Sequence, residues 1–178
     1  PTHNLTLLSY DPSLLGDTPV EAVEFRKELP APGDVLWVVG LRGDNKLVYQ
    51  ATEVASIEPV MFPLSRTMRF RDTNLETLSL INGPNTVDGV IVDKRGRVVS
   101  LWSSFAYQGG GELNQENKGV PAELVAELVD LVRFGRQLRS LEVEWRQMPL
   151  SAARKFGLSD EGVRRLAEHD PDRRQALT

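Results

Sequence analysis

The chain has 178 residues, of which 40% are hydrophobic and 26% charged, a balance typical of a globular protein with one main domain. Its formal net charge of -4 argues against a nucleic-acid-binding protein, because such proteins usually carry a basic face. The absence of cysteine and the presence of only two histidines exclude thiol catalysis, disulfide bonds and a histidine-rich metal cluster. No apolar run is long enough to span a membrane. We therefore expect no metal, no cofactor, no nucleic acid and no membrane as partners.

The first two thirds of the chain alternate short apolar segments with turns that contain glycine and proline. This pattern predicts many antiparallel strands in a closed barrel or a sandwich. In the clearest hairpin, Lys94-Arg95-Gly96 lies between two valine-rich strands. The predicted strands cover residues 5–9, 20–25, 35–40, a segment from about 46, 54–59, 67–71, 77–81, 89–93 and 98–102.

The pattern changes in the last third of the chain. Gly109-Gly110-Gly111 and the polar run Gln115-Glu116-Asn117 predict a flexible loop. A helix is predicted from Pro121 to Gly135, because leucine and valine recur there at helical spacing and these two residue types suit a helix start and stop. The last predicted elements are a strand at 141–145 and helices at 149–156 and 160–168, with Ser159 as the N-cap of the second helix.

Several short motifs follow one another in an order found in one protease family. An apolar segment follows Asn4, Pro32-Gly33-Asp34 leads into strand 35–40, and a loop at 83–89 precedes the valine-rich hairpin. This order resembles the C-terminal barrel lobe of HtrA-like, trypsin-type serine proteases. The tail extends the resemblance to the degenerate second protease unit of double-length members, which carry two protease–PDZ units per chain.

The resemblance implies a mainly β fold, a chymotrypsin-like antiparallel Greek-key barrel lobe followed by C-terminal helices and an incomplete PDZ-like segment. Residues 1–138 would form the lobe with its closing helix, and residues 139–178 the start of a truncated PDZ-like domain. It also leads us to expect that the chain is a fragment of a longer protein. A bacterial relative of this kind would be periplasmic or otherwise extracytoplasmic, and the compartment of this chain stays open.

Departures from the family motifs bear on catalysis. The resemblance places Asn4 where active members have the triad aspartate, and this change of acid to amide lowers turnover by about four orders of magnitude. The loop that corresponds to the nucleophile reads Gly83-Pro84-Asn85-Thr86-Val87-Asp88-Gly89 and has no serine, so Thr86 or Val87 is nearest to that position. Pro84 has no N–H for an oxyanion, and the triad histidine would precede Pro1. We expect a non-catalytic lobe that acts as a structural or interaction unit within a larger HtrA-like serine protease.

Two alternatives to that function stay open. The chain could be part of an active serine endopeptidase whose triad lies elsewhere in the full-length protein, or its C-terminal segment could belong to a peptide-binding module. In the tail, we expect Trp145, Leu150 and Phe156 to anchor contacts with the barrel or between copies.

One strand is a candidate for peptide binding. By resemblance, Leu101, Trp102, Ser103 and Ser104 belong to the strand that pairs with the substrate backbone in active relatives. An extended or unfolded peptide is therefore an expected partner, beside other domains of the same chain and further copies of it. The alternative is that Trp102 and Phe105 fill the barrel core.

Overall fold

A computed structural model describes residues 5–59, 76–84, 87–109, 112–137, 139, 147–171 and 173–178. The chain forms two compact units, Pro1–Ser140 and Leu141–Thr178. Within the described ranges, no helix has both the length and the apolar character needed to cross a membrane.

Six strands close the first unit into an antiparallel barrel, in the order β1-β2-β3-β6-β5-β4 around the barrel. After three consecutive strands the chain returns to place β4 beside β1, which is a Greek-key connection. The predicted mainly β, antiparallel barrel is confirmed. The strands are β1 (Val35–Arg42), β2 (Leu47–Pro59), β3 (Glu76–Ile81), β4 (Val87–Val92), β5 (Val98–Gly109) and β6 (Glu112–Pro121).

The barrel core follows from the alternation of side chains along the strands. In β1, Leu36 and Val38 are buried, whereas Val35 is exposed and Trp37 is half-buried. Two glycines allow strands to approach closely: a Cβ at Gly89 would overlap the carbonyl oxygen of Val39, and one at Gly119 would lie 2.5 Å from Ser100 Oγ. The buried core cluster consists of Leu36, Val38, Val54, Leu78, Ile91, Val99 and Trp102.

Helix α1 (Ala122–Arg133) follows β6 directly. It packs Leu124 against a cluster formed by Phe105 and Val120 on strands β5 and β6. Gly135 follows the helix with a φ of 60°, so the predicted glycine stop is confirmed. The predicted start was one residue early, because Pro121 is the last residue of β6 and the N-cap of the helix.

The second unit contains β7 (Gln147–Pro149), α2 (Leu150–Lys155), α3 (Asp160–His169) and β8 (Gln175–Leu177), and β7 pairs with β8. Ser159 caps α3 by accepting a hydrogen bond from the Gly162 N–H at 3.1 Å, as predicted. Leu150 is buried in the unit's own core with Ala153, so its predicted role as a contact anchor is wrong. Phe156 is 81% exposed, and Trp145 lies outside the described residues.

Several predicted elements differ from the structure. Residues 5–9 and 20–25 form no strand, and only Phe25 makes an isolated bridge, with Val98. The apolar character of the first segment has another cause, since Leu5 packs against the Phe105 cluster. The loop predicted through residues 115–117 is part of β6, and the strands predicted from 46 and at 54–59 are one strand, with a register shift between Val54 and Ser56. The strands predicted at 67–71 and 141–145 lie outside the described residues.

Candidate functional site

The predicted triad-related positions are only partly described. Asn4 and Thr86 lie outside the described residues, and Val87 is described through its backbone alone, as the first residue of β4 opposite Arg42. The described part of the loop before β4 is the segment 81–84, which ends at Pro84.

The 81–84 segment is held through its backbone carbonyls by side chains from other strands. Asn82 has a φ of 54°, so the chain turns sharply at the end of β3. Pro84 has no N–H, which leaves its carbonyl as its only backbone hydrogen-bonding group. The three bonds run from Thr52 Oγ1 to Ile81 O (2.7 Å), from Gln50 Nε2 to Asn82 O (2.7 Å) and from Trp102 Nε1 to Pro84 O (2.9 Å).

Trp102 connects this segment to the barrel core. Its side chain is only 2% exposed, and its indole lies so close to Gly83 that a Cβ there would be 2.9 Å from Cζ2. The indole therefore fills the space under the segment, and its N–H is satisfied by Pro84. As a peptide-binding candidate, Trp102 offers little exposed surface.

The four peptide-binding candidates differ in how they pair within β5. Leu101 pairs with Val90 in β4 and Val120 in β6, and Trp102 likewise has a partner on both sides. Among the described residues, Ser103 and Ser104 pair with β6 alone, opposite Lys118 and Asn117. The structure therefore restricts the candidate strand edge to these two serines.

A cleft of about 610 Å³ lies where β3 and β6 diverge after their pairing at Leu78 and Gly119. The lining from β3 and the following turn is Ser79, Leu80 and Gly83. Trp102 and the β6 residues Gln115, Glu116, Asn117 and Lys118 line the remainder.

Lys118 of β6 forms a hydrogen bond across the cleft to Ser79 of β3. Its Nζ lies 2.7 Å from Glu116 Oε1 and donates to Ser79 Oγ at 2.8 Å. The Lys118 side chain is 18% exposed, and that of Glu116 is 52% exposed. The sequence prediction missed these residues because the polar run 115–117 suggested a loop. Strand β5 continues to Gly109, beyond the predicted range 98–102, and β6 pairs with it along this extension.

An electrostatic cluster around Asp93 lies in the β4–β5 turn. Burial alone would raise the pKa of the Asp93 carboxyl, but hydrogen bonds from Arg95 and Arg97 and the charge of Arg97 lower it overall. The Arg97 guanidinium donates to Asp93 at 2.8 and 2.9 Å, and this pairing raises the pKa of Arg97. The cluster fixes the turn, and the described residues contain no group of acidic and histidine side chains arranged to hold a metal.

Comparisons with known proteins identify distant relatives of this chain. No protein-family model matches the chain. A PDZ domain-containing protein of Schizosaccharomyces pombe is 31% identical over 172 residues, covering 93% of this chain. Protease Do-like 7 of Arabidopsis thaliana is 30% identical and covers 99%, and the pro-apoptotic serine protease NMA111 of Saccharomyces cerevisiae is 27% identical and covers 100%. The chain spans only 17% to 18% of the length of these relatives.

A solved structure has the same fold. Rv3671c of Mycobacterium tuberculosis, crystallised as an inactive mutant, matches with a TM-score of 0.50 over 76% of this chain and 67% of its own. Its identity of 14% limits the likeness to the fold. Together with the sequence relatives, it shows that the chain is a trypsin-like protease barrel lobe, distantly homologous to serine proteases of the HtrA and NMA111 type.

Proposed function

We propose that this chain is a non-catalytic trypsin-like lobe that acts as an interaction unit within a larger HtrA-like serine protease. The observation that carries the proposal is the segment from Gly83 to Gly89, which has no serine. Its Pro84 carbonyl accepts a hydrogen bond from Trp102, and the carbonyls of Ile81 and Asn82 just before it accept side-chain hydrogen bonds from β2. A nucleophile loop needs a hydroxyl beside N–H groups that converge on one oxyanion. Pro84 contributes no N–H, and Asn4 would provide no charge to a histidine.

The interaction that the lobe would make is the addition of an extended peptide to β5. Ser103 and Ser104 have partners only in β6 among the described residues, and Trp102, the residue before Ser103, lines the cleft between β3 and β6. Strand addition uses backbone hydrogen bonds for affinity and side-chain pockets for selectivity. Neither requirement involves the triad, so binding can persist without hydrolysis.

A second candidate is that the lobe is part of an active serine endopeptidase whose triad lies elsewhere in a longer protein. The names of the Arabidopsis and yeast relatives, which describe proteases, favour this candidate, and the chain spans less than a fifth of their length. We also propose that the second unit is the start of a PDZ-like domain. The name of the Schizosaccharomyces pombe relative supports this proposal.

Peptide binding can be tested by fluorescence anisotropy with a labelled valine- and threonine-rich peptide. The matched control is the same peptide with alternate backbone nitrogens methylated, which removes the donors that strand pairing needs. Saturable binding of the first peptide alone, with the peptide recovered intact, supports the proposal. Equal binding of both peptides, or of neither, contradicts it. In the longer protein, a fluorophosphonate label outside these 178 residues would support the second candidate.

A further inference from the structure

We infer that Asn82 is a site of spontaneous deamidation and that the folded barrel suppresses the reaction by holding the segment 81–84 in place. Asn82 is the one asparagine in the sequence that is followed by glycine. It is exposed, so water has access to it. Neither peptide binding nor catalysis by the lobe is involved in this chemistry.

Deamidation at this position needs only the chain itself and water. The backbone nitrogen of Gly83, after losing its proton to a base in solution, attacks Cγ of Asn82. The new N–Cγ bond closes a five-membered succinimide, the Cγ–Nδ2 bond breaks, and ammonia leaves with a proton taken from solvent. Water then opens the ring at one of its two carbonyls, which gives aspartate or isoaspartate. Glycine favours the attack because it has no Cβ that would hinder its nitrogen.

The backbone conformation of Asn82 separates the two reacting atoms. Its φ of 54° lies in the left-handed region, where ψ is typically about +47°. That ψ directs the Gly83 nitrogen almost opposite the Asn82 Cβ, whereas ring closure requires both on the same side of the Cα–C bond. The peptide unit between the two residues must therefore rotate by about half a turn before the ring can form.

Hydrogen bonds to the segment oppose this rotation. It would carry the Asn82 carbonyl oxygen away from Gln50 Nε2, which donates to it at 2.7 Å. The carbonyls of Ile81 and Pro84, on either side, also accept side-chain hydrogen bonds. Deamidation therefore proceeds through a local opening in which the Gln50 bond is broken. Its rate in the folded chain is the population of the open state multiplied by the rate in a free chain.

The first test compares the folded chain with the chain in guanidinium chloride, both in mildly alkaline buffer, by peptide mass spectrometry. Asn82 should be the fastest asparagine to deamidate in the denatured chain and should react about tenfold or more slowly in the folded one. Asn45 is the internal control, because it is also exposed with a φ of 60° but is followed by Lys46, and it should react far more slowly than Asn82 in the denaturant. Equal rates for Asn82 in both states, or no reaction of Asn82 in the denaturant, would overturn the inference.

The second test removes the bond that opposes the rotation. Gln50→Ala should raise the deamidation rate of the folded chain about fivefold, as expected for the loss of one hydrogen bond, and should leave the rate in denaturant unchanged. Gln115→Ala is the matched control, since it removes a glutamine bond to Ser104 elsewhere in the barrel and should change neither rate. Circular dichroism checks the fold, and Thr52→Val, which removes the bond to Ile81, serves if Gln50→Ala does not fold. An unchanged rate in the folded variant would overturn the inference.

Discussion

The indole N–H of Trp102 donates a hydrogen bond to the carbonyl oxygen of Pro84 across 2.9 Å, and it joins the barrel core to the segment before β4. From the resemblance, we predict that the loop entered by this segment corresponds to the nucleophile loop of active proteases. Here the indole packs on Gly83 and takes the only backbone hydrogen-bonding group that Pro84 has. A residue of the predicted peptide-binding strand is thus a structural support of the loop.

Replacing Trp102 by phenylalanine should therefore destabilise the barrel through both the lost bond and the lost volume. We expect the free energy of unfolding to fall by about 2–4 kcal/mol, since the Pro84 carbonyl loses its partner and a cavity forms. Trp37→Phe is the matched control, because Trp37 is half-buried on the other face of β1 from the core residues. Urea denaturation followed by circular dichroism measures both variants, and equal losses would contradict the role of the bond.

The close approach of β1 and β4 at Gly89 gives a second prediction. A methyl group there would overlap the carbonyl oxygen of Val39, which belongs to a paired strand and has little room to move. Gly89→Ala should cost more than about 2 kcal/mol of stability. Gly43→Ala, in the β1–β2 turn with nothing within 4 Å of the new methyl, should cost less than about 1 kcal/mol. Similar melting temperatures of the two variants would show that the strands separate more easily than the structure implies.

Asp93 should make the stability of the barrel depend on pH. The folded-state pKa of its carboxyl is lowered, so its contribution is complete above the unfolded pKa of about 3.9 and is lost as the pH falls through the folded value. Asp93→Asn should lose about 2 kcal/mol at neutral pH, because hydrogen bonds to a buried charge are removed. The difference between the two proteins should shrink below about pH 4.

The control for Asp93 is Asp44→Asn in the β1–β2 turn. Asp44 also accepts a backbone N–H and lies near Lys46 and Arg42, but its side chain is 45% exposed. Exposed pairs of this kind contribute less than about 1 kcal/mol. Chemical denaturation from neutral to acidic pH compares both variants with the unmodified chain, and a constant difference for Asp93→Asn down to the lowest pH would contradict the account.

The boundary between the two compact units after Ser140 predicts the outcome of truncation. A chain that ends at Ser140 should retain a β-type circular dichroism spectrum and one cooperative thermal transition, because the barrel strands and α1 all precede this residue. If the truncated chain lost its transition, the tail would belong to the barrel core.

The strands that the sequence predicted well are those that form because of the residues in and next to them. Strand β1 has a continuous apolar run between two turns, and the β4–β5 hairpin has Lys94-Arg95-Gly96 with Gly96 at a φ of 78°. Strand β6 escaped prediction because residues 115–118 are all polar, and their extended conformation comes from pairing with β5 and not from a buried face. Residues 5–9 were wrongly predicted as a strand because they are apolar, but Leu5 packs against the Phe105 and Val120 cluster and Leu8 remains 84% exposed.

The site was harder to predict than the fold for a related reason. The cleft depends on Lys118 and Ser79, which are 39 positions apart and meet only because β3 and β6 are neighbours in the barrel. Likewise, Trp102 and Pro84 are 18 positions apart, and the indole bond depends on the course of the chain after β3. Such relations follow from topology, and a single sequence does not display them.

Catalytic competence is tested most directly by labelling this chain with a fluorophosphonate and assaying casein hydrolysis. The unmodified chain should show neither label nor turnover. The double variant Asn4→Asp with Thr86→Ser should behave in the same way, because triad members act as a unit and Pro84 still provides no N–H. Active trypsin under the same conditions provides the positive control. A label mapped to this chain, together with hydrolysis that the label abolishes, would contradict the proposal that the lobe is non-catalytic.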